Sequence, residues 1–119
     1  MKKVDLNIVL KNDETEKKYN RVGIFNEKSN ILNYSDENIE YTIDFNKNVI
    51  TRENNEFKMD IDCSKRNIGQ IILFYKEVSK QFIMDIFIKE LKNSTNIFSV
   101  KYVINDTENI EYYVEILNK

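Results

Sequence analysis

Polar and apolar positions alternate along most of this chain, most clearly near its C-terminal end. In Ile97 to Asn105, the residues Phe98, Val100, Tyr102 and Ile104 share one parity. In Ile110 to Leu117, Ile110, Tyr112, Val114 and Ile116 do the same. A period of two puts one set of side chains on a single face of a sheet. The pattern recurs upstream. Val4, Leu6, Ile8 and Leu10 alternate in a first strand, and Lys17 to Asn26 reads as a second, with Gly23 inside it. An interior glycine often marks a bulge or a sharp bend. Ile31 to Ser35 reads as a short strand, followed by alternation at Ile39, Tyr41, Ile43 and Phe45. Val49 to Glu53 and then Phe57, Met59, Ile61 and Cys63 continue the series. Between them Asn54-Asn55 resembles a tight hairpin signal, because Asn tolerates positive φ.

The stretch from Ile68 to Leu91 carries two readings. As strands, it gives Gln70 to Lys76, a turn at Glu77 to Lys80, and Gln81 to Leu91 with Phe82, Met84, Ile86 and Ile88 on one face. As a helix over residues 77–91, Glu77, Gln81, Asp85, Lys89 and Lys92 would form a solvated stripe. The Ile and Phe content and the neighbouring strands favour the first reading. About eight to ten short strands at regular spacing predict an all-β fold. Closure into an up-and-down antiparallel barrel would remove exposed edges. The alternative is α+β, with one helix packed on a curved sheet.

A chain of 119 residues with 41% hydrophobic residues suits one globular β-barrel domain over residues 1–119. Eighteen basic residues against 20 acidic ones give a net charge of -2, which offers nucleic acid no global attraction. No long apolar run suggests a signal peptide or a membrane span. The single Cys63 fits a reducing compartment, so a cytoplasmic protein with no membrane partner is expected.

From Val49 onward the chain resembles the YwiB-like proteins of Gram-positive bacteria, a family of small calycin-type (lipocalin-like) barrels. The resemblance rests on Val49-Ile50-Thr51-Arg52, Phe57-Lys58-Met59 and Tyr75, with Arg21-Val22-Gly23-Ile24-Phe25 matching upstream. The chain departs from the family's glycines at Asn54-Asn55 and Ser79-Lys80, and from its threonines at Ile86 and Ile88. The resemblance implies a calycin-like barrel and brings no catalytic residue with it.

The chemistry on offer is sparse. There is no His, so the usual neutral-pH base and metal ligand is missing, and no Ser-His or Cys-His pair can form. With Gly23 and Gly69 as the only glycines, no phosphate loop or dinucleotide fingerprint exists. No enzyme activity, metal or cofactor is expected. Asp60 and Asp62 read as an outward polar face, although two carboxylates on one face also suit a hard cation. Asp36-Glu37 and Asp106-Thr107-Glu108 read as turn residues. Cys63 reads as a small buried side chain.

The candidate ligand-binding residues are Arg52, Tyr41, Tyr75, Tyr102 and Tyr112. An inward Arg52 would need an aromatic face or a carboxylate to offset its desolvation, and would be placed to anchor an anionic headgroup. An outward Arg52 would instead pair with an acid on the next strand. The tyrosines present a flat apolar body and a hydroxyl, suited to lining a cavity or to filling a core. The leading expectation is a barrel that holds a small hydrophobic or amphipathic ligand in its interior. The alternative is a protein-interaction or structural module with a filled interior, pairing as a homodimer through an outer face such as Tyr113 and Leu117.

Overall fold

The computed structural model describes residues 1–119 and contains ten antiparallel strands and no helix. They are β1 (Lys2–Lys11), β2 (Glu16–Asn26), β3 (Ile31–Asp36), β4 (Ile39–Asp44), β5 (Val49–Glu53), β6 (Phe57–Asp62), β7 (Ile68–Tyr75), β8 (Lys80–Asn93), β9 (Ile97–Ile104) and β10 (Glu108–Ile116). Each strand pairs with its sequence neighbours, and β1 pairs with β10 to close an up-and-down barrel. The helical alternative over residues 77–91 does not occur. The pairing of β8 with β7 runs from Ile68 opposite Phe87 to Tyr75 opposite Lys80, so the period of two wins over the charged stripe.

Left-handed backbone at the turns is supplied without glycine. Asn30, Glu37, Asn38, Asn48, Asn67, Ser79, Asn105 and Asp106 all have positive φ. Adjacent left-handed pairs at Glu37-Asn38 and Asn105-Asp106 match the twist of tight hairpins. Asn54-Asn55 works differently from the expectation. Neither residue has positive φ, and Asn54 instead accepts hydrogen bonds through Oδ1 from the amides of Glu56 and Phe57 at 2.8 and 3.1 Å.

Of the two expectations at Gly23, a bulge or a sharp bend, the first does not hold. The β1–β2 register runs unbroken past it, from Lys2 opposite Phe25 to Lys11 opposite Glu16, so it marks no bulge. The reason for glycine is crowding. A Cβ there would lie 2.8 Å from the Asn33 carbonyl oxygen and 2.9 Å from Leu6 Cδ1. The register irregularity lies instead between Ile88 and Glu90 on β8. Beyond it Leu91 and Asn93 take over the positions opposite Val100 and Phe98.

The two ends of the barrel differ. At the end carrying the β4–β5 turn and the C-terminus, Phe25, Phe45 and Phe98 meet edge to face at 6.1 and 5.8 Å. Asn93 Nδ2 donates to the Phe45 carbonyl and to Asn48 Oδ1, both at 2.6 Å, tying β8 to that turn. Leu6, Leu32, Ile43, Phe98, Val100 and Val114 are fully buried in this half. Full burial of such a side chain contributes about 1.5–3 kcal/mol. The opposite end, with the β1–β2, β3–β4, β5–β6 and β7–β8 turns, holds the candidate site.

Candidate functional site at the open end of the barrel

Residues directly opposite one another in an antiparallel ladder share a face. The register therefore lines up an inner row across six strands: Tyr34, Tyr41, Arg52, Met59, Leu73 and Phe82. One step deeper lies a second row of Leu32, Ile43, Ile50, Ile61, Ile71 and Met84. Burial fades along both rows toward β8. Tyr34 and Tyr41 are buried, Arg52, Met59 and Leu73 are partly exposed, and Phe82 is 55% exposed. In the deeper row the first five are buried, yet Met84 is 40% exposed.

The cause is strand length. β8 begins at Lys80, but its pairing with β9 begins only at Ile86. Its first six residues project past β9, so the β7–β8 hairpin leans on the barrel from one side only. The inward side chains there have no opposite wall, and the barrel opens on that flank.

Arg52 stands between the buried and open parts of the upper row. Its guanidinium lies over the Tyr41 ring at 5.4 Å. Its Nε is buried without a hydrogen-bond partner, and it takes part in none of the ion pairs. The acid beside it in sequence, Glu53, pairs instead with Lys76 at 2.8 Å. Arg52 thus faces inward, the arrangement that needs an aromatic face or an anion.

The tyrosines divide. Tyr34 and Tyr41 stack with ring centroids 4.7 Å apart, and Tyr41 stacks on Tyr112 at 6.2 Å. The hydroxyls of Tyr34 and Tyr112 bond to each other. Burial pushes the phenols of Tyr34, Tyr102 and Tyr112 well above the ordinary tyrosine value, so all stay neutral. The Arg52 charge opposes this at Tyr102 and Tyr112. Arg52, Tyr41 and Tyr112 are therefore brought together, while Tyr102 is buried on β9 opposite Ile88 and stacks on none of them. Tyr75 is not among them: it sits near the tip of the projecting hairpin, 42% exposed, edge-on to Phe82 at 5.8 Å. The three stacked rings fill the lumen at their level and do not line a void there.

Three members of this end escaped sequence reasoning. Tyr34 completes the stack. Tyr19 has a buried hydroxyl without a hydrogen-bond partner, its pKa pushed up to about 12 by burial. Asp36, read as a turn residue, is the last inward position of β3 and is only 5% exposed. It borders a seam, because β3 pairs with β2 only from Ile24 to Asn26. Arg21 and Lys17 cross that seam from β2 to the Asp36 carboxylate, Lys17 at 3.1 Å. Their cationic groups also lie over the Tyr19 ring, at 4.7 and 4.8 Å. The parity of Leu32, Tyr34 and Asp36 was the available signal.

This bridge predicts an acid sensitivity. Burial raises the Asp36 pKa, but the hydrogen bonds and charges of Lys17 and Arg21 outweigh it and hold the carboxyl below the usual 3.8. A depressed folded-state pKa gives stability that is present above the unfolded value and lost as pH falls through the folded one. The melting temperature of the native protein is expected to drop as pH falls below about 4. Asp36→Asn is expected to melt lower at neutral pH and to lose part of that acid dependence. Melting curves between neutral and strongly acidic pH check both points, and parallel profiles for the two proteins would refute the assignment.

The remaining candidates lie elsewhere. Asp60 accepts from Thr51 Oγ1 at 2.7 Å, and Asp62 caps the Ser64 amide at 2.9 Å. No group of three or more His, Cys, Asp or Glu is placed to hold a metal ion. Cys63 is buried, and burial pushes its thiol up to about 12, leaving it un-ionised. A cleft of about 360 Å³ between the β1–β2 turn and β8–β10 includes Tyr102, but its other residues are mostly outward polar ones such as Lys11, Lys89, Lys101 and Glu111. It contains neither Arg52 nor the stacked rings. No helix is long and apolar enough to cross a membrane. Comparison of the chain with protein-family models, with curated proteins and with solved structures gave no match, so the functional reading rests on this geometry.

Proposed function

We propose that this protein is a non-enzymatic binder of a small amphipathic anion, held at the open flank of the barrel. Arg52 takes the anionic end, with Tyr41 beneath its guanidinium. Met59, Leu73, Phe82 and Met84 offer the apolar body a wall. The observation that carries the reading is the inward guanidinium without an acid. A part-buried cation gives up solvation that neighbouring charge normally returns, and here only an aromatic face does so. A carboxylate or phosphate would supply the missing charge and accept from Nε. The resemblance to calycin-type barrels and a cytoplasmic location fit the same reading. Because the stacked tyrosines fill the lumen beneath, the ligand lies over them and against β6–β8, and not deep in the interior.

The rival reading is an interaction module without a ligand, favoured by that filled lumen. Native mass spectrometry of protein purified from its own host separates the two. A retained small molecule, together with calorimetric binding of octanoate at least about tenfold tighter than octanol, is the expected result. No retained mass and no heat from either probe would sink the binding reading.

A further inference from the structure

We propose that two copies of this chain pair through the free edge of β8, antiparallel about a two-fold axis at Ile83. The argument starts from the backbone. Residues Lys80 to Asp85 pair with β7 on one side and with nothing on the other, since β9 joins only at Ile86. Six extended residues span about 20 Å. Such an edge is a template for another strand unless charge, proline or a bulge blunts it. This edge has none of these in its middle: Gln81-Phe82-Ile83-Met84 is uncharged, and the register irregularity of β8 lies further on, beyond Ile88.

A second copy fits better than an unrelated strand because the edge is complementary to itself. A two-fold axis perpendicular to the sheet brings like faces together, so each residue must meet one of its own parity. Centring the axis on Ile83 sets Ile83 against Ile83 and Phe82 against Met84 of the second copy. It also sets Gln81 against Asp85 of the second copy, where an amide donates to a carboxylate. Ile83, Phe82 and Met84 are 59%, 55% and 40% exposed in the single chain, so each has surface to lose. Pairing ends where β9 takes over at Ile86, and Lys80 of the second copy then arrives beside the β9–β10 tip. That tip carries Asp106 and Glu108, opposite in charge. The pairing is closed by the two-fold; Phe82 and Met84 also border the anion site, but the backbone edge and Ile83, on which the axis is centred, take no part in it.

Sedimentation of the full chain across a wide concentration range tests this. A monomer–dimer equilibrium is expected, weakened about tenfold or more by Ile83→Lys, which sets like charges directly opposite and removes apolar contact. Ile68→Lys alters an equally exposed residue on the same hairpin, away from the free edge, and is expected to leave the equilibrium unchanged. Ile83→Cys is expected to form a disulfide-linked dimer under mild oxidation, whereas Gln81→Cys is not. A monomer at all concentrations, association continuing past the dimer, or equal weakening by both lysine variants would overturn the proposal. So would cross-linking of Gln81→Cys as efficient as that of Ile83→Cys.

Discussion

Replacing Gly23 with valine is expected to cost about 3 kcal/mol of stability and about 10 °C of melting temperature. The first added atom already meets the structure at closest range. A Cβ at Gly23 would lie 2.8 Å from the Asn33 carbonyl oxygen, 2.9 Å from Leu6 Cδ1 and 3.2 Å from Leu32 Cδ1. The nearest of these is backbone on β3, beside Ile24 opposite Asn33, where β3 begins to pair with β2. It cannot rotate away as a side-chain end would. Relief therefore requires β2 and β3 to separate just below the seam that Lys17, Arg21 and Asp36 bridge. Valine brings two further carbons toward Leu6 and Leu32, both fully buried. Overpacking on this scale is a large fraction of the stability of a small domain. Gly23→Ala is expected to fall between the two, since it adds the clashing atom alone. Thermal melts of the three proteins decide the matter. An unchanged midpoint for the valine variant would mean that the strands yield freely there.

Most of the barrel is written in parity, and parity is legible. The alternation of Phe98, Val100, Tyr102 and Ile104, and of Ile110, Tyr112, Val114 and Ile116, places all eight side chains on the inner face as buried or packed residues. It also favours a strand over a helix at β8, where charge spacing pointed the other way. Parity says which residues share a face. It does not say where a neighbouring strand stops. The projection of Lys80–Asp85 past β9 depends on relative strand lengths, so Phe82 and Met84, which share a parity with the buried Ile86 and Ile88, emerge as an open wall. The seam between β2 and β3 escaped for the same reason, and with it the role of Asp36. The register irregularity after Ile88 carries no local glycine or proline to announce it. Gly23 was visible as an exception, but its cause, an approach by Asn33 from another strand, is a tertiary fact.

The site is legible to a similar depth. Arg52 and two of the four candidate tyrosines converge, because Tyr41 and Arg52 are register partners and Tyr41 stacks on Tyr112. Whether the tyrosines would line a void or fill it is a matter of ring geometry, and the 4.7 Å stack of Tyr34 on Tyr41 fills it. Arg52→Ala should therefore separate binding from folding. Removing a paired buried ion strands its partner charge, but Arg52 has no acid to strand. What the fold loses is a cation–π contact and the packing of the side-chain stem, together about 1 kcal/mol. What a bound anion loses is its counter-charge and its charge-assisted hydrogen bonds, about 1.5–3 kcal/mol, or roughly ten- to a hundredfold in affinity. The variant is thus expected to melt within a few degrees of the parent yet fail to retain the ligand or to distinguish octanoate from octanol. Arg52→Lys keeps the charge but loses the planar fork, and should recover only part of the affinity. Equal retention by Arg52→Ala would remove the guanidinium from the site. The stacked tyrosines and the open β7–β8 wall would then be left to the interaction-module reading.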